Sequence, residues 1–247
     1  MAGGIRADRI EGVTVLTLSR PEVLNALDLD TLGALVAAID EHGRDTGIVL
    51  TGEGRAFSSG DDLKATEGIS RETFVRVIDG FQDVTRAIVR TEVPVVAAVN
   101  GIAVGGAAEI ACVCDLRIGC PDSEFMFPEN GIGLTISNGS TITLPELVGR
   151  RAMGMVLLGE RIGADAAREL GLLDQVVGET AGLIPYAVKV TAALASAGAA
   201  TRLHLRLLRP PPEAVERALW VEREAALEAW DQGWPQAGIR RFLESRR

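Results

Sequence analysis

Histidine, lysine and aromatic residues are scarce in this chain of 247 residues, and each shortage removes a class of chemistry. The two histidines, His42 and His204, sit in charged or amphipathic settings, which leaves a histidine-based triad or a zinc site of the His-Glu-x-x-His type poorly supplied. Lys64 and Lys189 are the only lysines, and the formal net charge is −9, which argues against nucleic acid or an anionic membrane as a partner held by bulk electrostatics. Cys112, Cys114 and Cys120 are odd in number and lie in or beside apolar runs, so buried free thiols are a simpler reading than a metal pair. Long hydrophobic runs are missing too: residues 93–99 are broken by Pro94 and ended by Asn100, well short of membrane-spanning length. Residues 1–9 carry no apolar signal-peptide region, so a cytoplasmic protein is expected. Metal-free acid–base chemistry on carboxylates remains.

What is present starts with two such carboxylates. Glu109 lies in Val104-Gly105-Gly106-Ala107-Ala108-Glu109-Ile110-Ala111-Cys112-Val113, a run otherwise small and apolar, and Glu129 follows Phe125-Met126-Phe127-Pro128. A carboxylate in apolar surroundings pays a desolvation penalty that raises its pKa, and a carboxyl tuned toward neutrality suits proton transfer. Two in one site allow one base and one acid. The competing reading is a buried ion pair, Glu109 with Arg117 for example.

With 47% hydrophobic and 24% charged residues, the chain has the composition of a soluble protein of one large domain, alone or with a small appendage. Residues 13–18 read as a strand, Leu27 to Ile39 as an amphipathic helix and residues 48–51 as the next strand. Ser70 is placed to cap a long helix with the stripe Phe74, Val77, Ile78, Phe81, Val84 and Ile88. The cycle repeats with a strand over residues 95–99, a Gly-rich turn, a short helix to Val113, and strands at Leu116-Arg117-Ile118 and 124–127. From Gly163 a short helix over 164–170 and a strand over 173–177 lead to helices at about 180–197, 213–229 and 235–245, interrupted by Pro210-Pro211-Pro212. Alternating strands and helices fit a doubly wound sheet or a superhelical stack of crossover units.

Two loops follow apolar strands and should open at one end of the sheet: Phe57-Ser58-Ser59-Gly60-Asp61-Asp62-Leu63, and Asn100 to Gly106. One free N–H from each would make a two-donor oxyanion hole, though a Gly-Gly pair is equally the mark of a tight packing turn. Ser58 and Ser59 read as turn residues, Asp61 and Asp62 as turn or helix caps, and Lys64 as a solvated charge or an anion contact.

The ordered set resembles the crotonase (enoyl-CoA hydratase/isomerase) superfamily over about residues 10 to 245. It runs Leu18-Ser19-Arg20-Pro21 with Asn25-Ala26-Leu27, then Leu50-Thr51-Gly52 to Leu63, then Pro94 to Gly101, Gly105-Gly106 and Glu109. Cys114-Asp115, Phe125, Pro128-Glu129, Gly149-Arg150, Leu158 to Ile162 and Ala166-Ala167 to Gly171-Leu172 continue it. The resemblance implies an α/β fold, a crotonase-like superhelical stack of ββα units with a helical C-terminal part. Residues 1–178 would form the spiral core with the active site, and residues 179–247 a helical region for trimerisation and for covering the CoA and acyl pocket.

It further implies an enoyl-CoA hydratase-type lyase of fatty acid metabolism, acting on an acyl-CoA thioester. Coenzyme A is then part of the substrate, with no other cofactor and no metal, and the assembly is a homotrimer or a dimer of trimers. The backbone N–H groups of Asp61 and Gly106 hold the thioester oxygen, and Ser59, Gly60, Asp61, Asp62, Leu63 and Lys64 line the CoA path beside Gly105 and Gly106. Glu109 positions and deprotonates water, and Glu129 exchanges a proton at Cα. The sequence departs from the family pattern at Asp61, where a small residue is common, and across Trp230 to Ala237, which lacks the usual acidic and basic pattern. A third departure is Ser137, where hydratases have a glycine beside the water; its hydroxyl either orients that water, the reading we prefer, or crowds it. Alternatives are a Δ3,Δ2-enoyl-CoA isomerase, which the family can run with Glu129 alone, and a non-catalytic acyl-CoA-binding or regulatory homologue with Ser137 excluding water, which has no need of both carboxylates.

Overall fold

The structure of the protein, a computed structural model, describes residues 3–245, so the outermost two residues of each expected span, 1–178 and 179–247, lie outside it. Among the described residues, ten strands form two sheets whose members are dealt out alternately by successive units of chain. A six-stranded sheet has the order β1 (Ile5–Ile10), β2 (Val13–Leu18), β3 (Ile48–Gly52), β5 (Val95–Val99), β7 (Leu116–Gly119) and β10 (Gln175–Val176). A four-stranded sheet has the order β4 (Ala56–Ser58), β6 (Ile102–Val104), β8 (Glu124–Met126) and β9 (Ile162–Gly163). Each pair β3–β4, β5–β6 and β7–β8 thus places its first strand in the large sheet and its second in the small one. Helix α1 (Leu29–His42) follows β1 and β2, α2 (Arg71–Arg90) follows β3–β4 and α3 (Gly106–Val113) follows β5–β6, which builds the stack of ββα units.

The large sheet is parallel except for β1 with β2, and β5 at its middle is buried along its whole length, as an interior parallel strand should be. One face carries Leu16, Leu18, Leu50, Val95, Ala97 and Val99 into the main core beneath α1, α2 and α3. The opposite face carries Val13, Val15, Val49, Val96, Ala98 and Ile118 against Leu183, Ala187 and Val188 of α7 (Leu183–Ala195), so the first helix of the C-terminal region belongs to the sheet. The strand β1 carries no apolar alternation in Ile5-Arg6-Ala7-Asp8-Arg9-Ile10 and is an edge with one buried residue, Ile5; its charges guard the open ladder.

The expected helix at 180–197 is two helices, α7 and α8 (Ala199–Leu208), divided where Gly198 takes φ 54°. Between the sheets and this region lie α4 (Ser140–Val148), α5 (Arg151–Leu158) and α6 (Ala164–Leu170), and the chain ends in α9 (Pro212–Asp231) and α10 (Trp234–Glu244).

Candidate active site

Two buried asparagines shape the first loop. Asn25, at φ 56°, donates from Nδ2 to the carbonyls of Ala56 and Phe57 at 2.9 and 3.2 Å, and Asn100 donates to those of Gly54 and Ala56 at 3.0 and 3.2 Å. The Ser58 hydroxyl donates to the Asn25 carbonyl at 2.7 Å and accepts from Gly60 N at 3.1 Å, so it is the turn residue expected. Leu27 N donates to the Gly60 carbonyl at 2.8 Å and Asp62 N to the Leu27 carbonyl at 3.2 Å. This bridge uses the residues on either side of Asp61 and leaves the Asp61 N–H out.

The second loop enters α3 through Gly105, whose φ 54° and ψ −130° suit glycine alone and whose N–H is taken by the Met126 carbonyl at 2.8 Å. Gly106 is the first residue of α3, so the helix has no acceptor for its N–H. A Cβ placed on Gly60 would lie 2.4 Å from the Val104 carbonyl oxygen and 3.6 Å from Gly106 N, so the two loops touch, with Asp61 the next residue along the first of them.

Glu109, one turn into α3, is 1% exposed and accepts three hydrogen bonds at Oε2: from Ser137 N at 2.8 Å, Asn138 N at 3.1 Å and Ser140 Oγ at 2.6 Å. Its Oε1 accepts none from the described residues. The ion pair with Arg117 does not form; Arg117 turns instead to Asp174 at 2.7 Å and the Cys114 carbonyl at 2.8 Å. Desolvation pushes Glu109 up to about 7, the charge of Glu222 adds to it, and the donors from residues 137–140 hold it back.

Glu129 opens a short 3-10 turn, Glu129–Ile132, and is 5% exposed with neither oxygen hydrogen-bonded among the described residues. Desolvation, then the charge of Glu109, push it up to about 8. A Cβ on Gly105 would lie 2.9 Å from its Oε1, so only glycine there leaves the carboxyl room. Behind the turn sits α10: added Cβ atoms would meet the Trp234 carbonyl oxygen at 2.6 Å from Gly133 and the Ile132 carbonyl oxygen at 1.9 Å from Gly238. The two carboxyls are thus close enough for the charge of one to act on the other, and one is held by three donors while the other, against Gly105, has none among the described residues. Each carboxylate disfavours a second charge beside it, and only Glu109 has donors that favour its ionised form.

The remaining expected residues take lesser places. Asp62 caps the following turn by accepting from Ala65 N at 3.3 Å and meets Arg20 at 3.3 Å, while Ser59, half-buried, donates to the Val23 carbonyl at 3.3 Å. Leu63 is half-buried and Lys64 exposed at the rim, with no ion pair among the described residues. The Asp61 side chain lies against Thr66 at 3.5 Å; desolvation and the adjacent Asp62 raise its pKa. Ser137 is buried at 6% exposure, and its hydroxyl makes no hydrogen bond with the described residues. The buried thiols Cys112, Cys114 and Cys120 are free.

Sequence reasoning missed Ser140 and the backbone donors of Ser137 and Asn138, which come from a turn without periodicity. It also missed an apolar wall: the Phe81 ring, 2.5 Å from a Cβ built on Gly106, and the Phe74–Trp230 stack at 4.4 Å between centroids, packed with Ile78 and Leu134. Leu134 is tied to the Glu129 carbonyl by its N–H at 2.9 Å, which sets this wall beside the acid.

Known proteins resemble this chain in sequence and in fold. The family model described as Enoyl-CoA hydratase/isomerase matches residues 8–247. The chain is 44% identical over 177 residues to a "Probable enoyl-CoA hydratase" of Rhodobacter capsulatus, covering 70% of this chain and 68% of that one. To the "Crotonyl-CoA hydratase" of Syntrophomonas wolfei it is 32% identical over 250 residues, covering 97% and 95%. A crystal structure of an enoyl-CoA hydratase from Mycobacterium avium subsp. paratuberculosis superposes with a TM-score of 0.85 at 28% identity, over 99% and 97% of the two chains.

Proposed function

The chain belongs to the enoyl-CoA hydratase/isomerase family, and on that premise we propose that its site adds water across the Cα–Cβ double bond of an acyl-CoA thioester, and removes it in reverse. The observation that carries the reading is the unequal treatment of two buried carboxyls in one site, Glu109 held at Oε2 by three donors and Glu129 by none.

The thioester oxygen lies between the N–H groups of Asp61 and Gly106. Water, held against the open Oε1 of Glu109, gives up a proton to that carboxylate as its oxygen bonds to Cβ. The π pair moves toward the thioester and builds enolate charge on its oxygen, which the two N–H donors stabilise. Glu129, buried with no donor among the described residues to favour its ionised form, carries the proton and delivers it to Cα. Glu109 ends protonated and Glu129 ionised, and one proton passes back before the next turnover. Coenzyme A runs along Ser59 to Lys64, with the exposed Lys64 ammonium placed for a phosphate, and no further cofactor or metal takes part. The isomerase alternative uses Glu129 alone and gives the three donors on Glu109 no purpose.

The test follows loss of enoyl absorbance across enoyl-CoA thioesters of increasing chain length. Glu109→Gln and Glu129→Gln should each lower kcat about a hundredfold or more while the protein stays folded. Hydration at the wild-type rate by Glu129→Gln refutes the mechanism; isomerisation that survives Glu109→Gln, without hydration by the wild type, installs the isomerase. We also read the assembly as a homotrimer or a dimer of trimers, since Met153, Leu157 and Leu158 on α5 and Leu203, Leu207 and Leu208 on α8 are apolar and exposed in the single chain. Sedimentation of a monomer would refute this. No single helix among the described residues is long and apolar enough to cross a membrane.

A further inference from the structure

The turn that holds Glu109 is shared with a third buried carboxylate. Glu222 on α9 is 2% exposed; its Oε2 accepts from Gly139 N and its Oε1 from Thr141 N, both at 2.7 Å. Within the five residues 137–141, three donors (Ser137 N, Asn138 N, Ser140 Oγ) turn to Glu109 and two (Gly139 N, Thr141 N) turn to Glu222. Gly139 is the N-cap of α4 and has no side chain to cap with, so Glu222 supplies from another helix the acceptor that α4 lacks. The helix α9 is fastened in turn, since Gln82 of α2 donates to the Leu219 carbonyl at 2.7 Å.

We propose that Glu222 is a positioning residue for Glu109, acting through the shared turn 137–141 and through its own negative charge. The proposal rests on the hydratase reading of the site and deepens it. The clasp fixes the direction of the donors that fix Glu109, so the open oxygen of Glu109 points at the water. The charge works against those same donors: they favour ionised Glu109, whereas a second buried anion disfavours it. With Glu222 in place Glu109 stays basic enough to take a proton from water. Desolvation raises the pKa of Glu222, while the N–H donors of Thr141 and Gly139, one on each oxygen, favour its ionised form.

The other groups near this pair are accounted for. Glu109 faces Glu129 from the 3-10 turn and Cys112 on its own helix. On α2 and α9, Asp79 pairs with Arg223 and Arg86 with Asp83 and Glu216, at the surface. Glu146 of α4 and Arg151 of α5 are exposed, and Arg117 is committed to Asp174.

The amide shifts of Ser137 and Asn138 report the protonation of Glu109 because both amides donate to it, and they need no turnover. In Glu222→Gln their titration midpoint should fall by about half a pH unit or more, and the acid limb of the kcat profile should move down with it. In Ser140→Ala, which removes a donor, the midpoint should rise. Glu222→Asp keeps the charge and loses reach, so its midpoint should stay near the wild-type value while kcat falls several-fold and KM changes less than about twofold. An unmoved or raised midpoint in folded Glu222→Gln overturns the proposal. So does unfolding of both Glu222 variants, which would leave Glu222 a structural cap only. A wild-type protein inert toward every enoyl-CoA would refute the hydratase reading instead, and the amide titration would still decide the coupling between Glu222 and Glu109.

Discussion

Replacing Glu129 by glutamine should stabilise the protein at alkaline pH while removing its acid. Burial moves this carboxyl from the ordinary 4.5 up to about 8, and neither oxygen has a partner among the described residues. The unfolded chain releases the proton near the ordinary value and the folded chain keeps it to the raised one. Between these two values the native state binds more protons, so stability falls as pH rises, by up to about 1.4 kcal/mol per pH unit. The full window sets a ceiling of ~5 kcal/mol for Glu129; water entering the site and the shared titration with Glu109 reduce this to roughly 2–3 kcal/mol. Glutamine is neutral throughout and of the same shape. Urea unfolding at fixed protomer concentration should therefore give nearly coincident curves for wild type and Glu129→Gln at about pH 5, with the variant increasingly more stable toward about pH 8.5. Parallel pH dependences would show that Glu129 does not carry the raised proton affinity, and the division of the pair into acid and base would fail with it.

Two further substitutions probe the same site. Gly105→Ala puts a methyl group 2.9 Å from Glu129 Oε1 at φ 54°, and should lower kcat at least about tenfold with little change in KM; undiminished hydration would mean that Glu129 does not work from this position. Ser137→Gly retains the N–H bond to Glu109 and removes only the hydroxyl, so steady-state rates should fall while calorimetry finds acyl-CoA affinity nearly unchanged; a rise in rate would identify the hydroxyl as an obstacle to water.

The parts of this molecule legible in the sequence are those with a period or a strong local rule. The strand at 13–18 and the Ser70 cap, whose hydroxyl accepts from Thr73 N, stand where their patterns put them. Glu109 and Glu129 were visible because acids are conspicuous in apolar runs, and the same logic reaches Glu222. It interrupts a stripe of Val215, Leu219 and Ala226 on α9, but on a helix so rich in acids that its burial is masked. The Arg117 pairing failed because proximity in sequence says nothing about direction: Arg117 leaves β7 toward Asp174, 57 residues on. The turn 137–141 was illegible for a deeper reason. Its polar groups are spent on carboxylates 28 to 83 residues away, so no local pattern records them.

The contacts of α9 and α10 give the site an order of assembly. Both reactive carboxyls are made midway along the chain, whereas Glu222 and the seat that α10 provides behind the Glu129 turn come about a hundred residues later. A nascent chain that has emerged only through β8 and its following turn carries two ordinary carboxylic acids, open to water and fully ionised in the cell. Burial in the finished fold is what raises their proton affinity. A chain that stopped before α9 and α10 would hold Glu109 and Glu129 without the clasp of Glu222 on their neighbouring turn and without the seat behind the Glu129 turn.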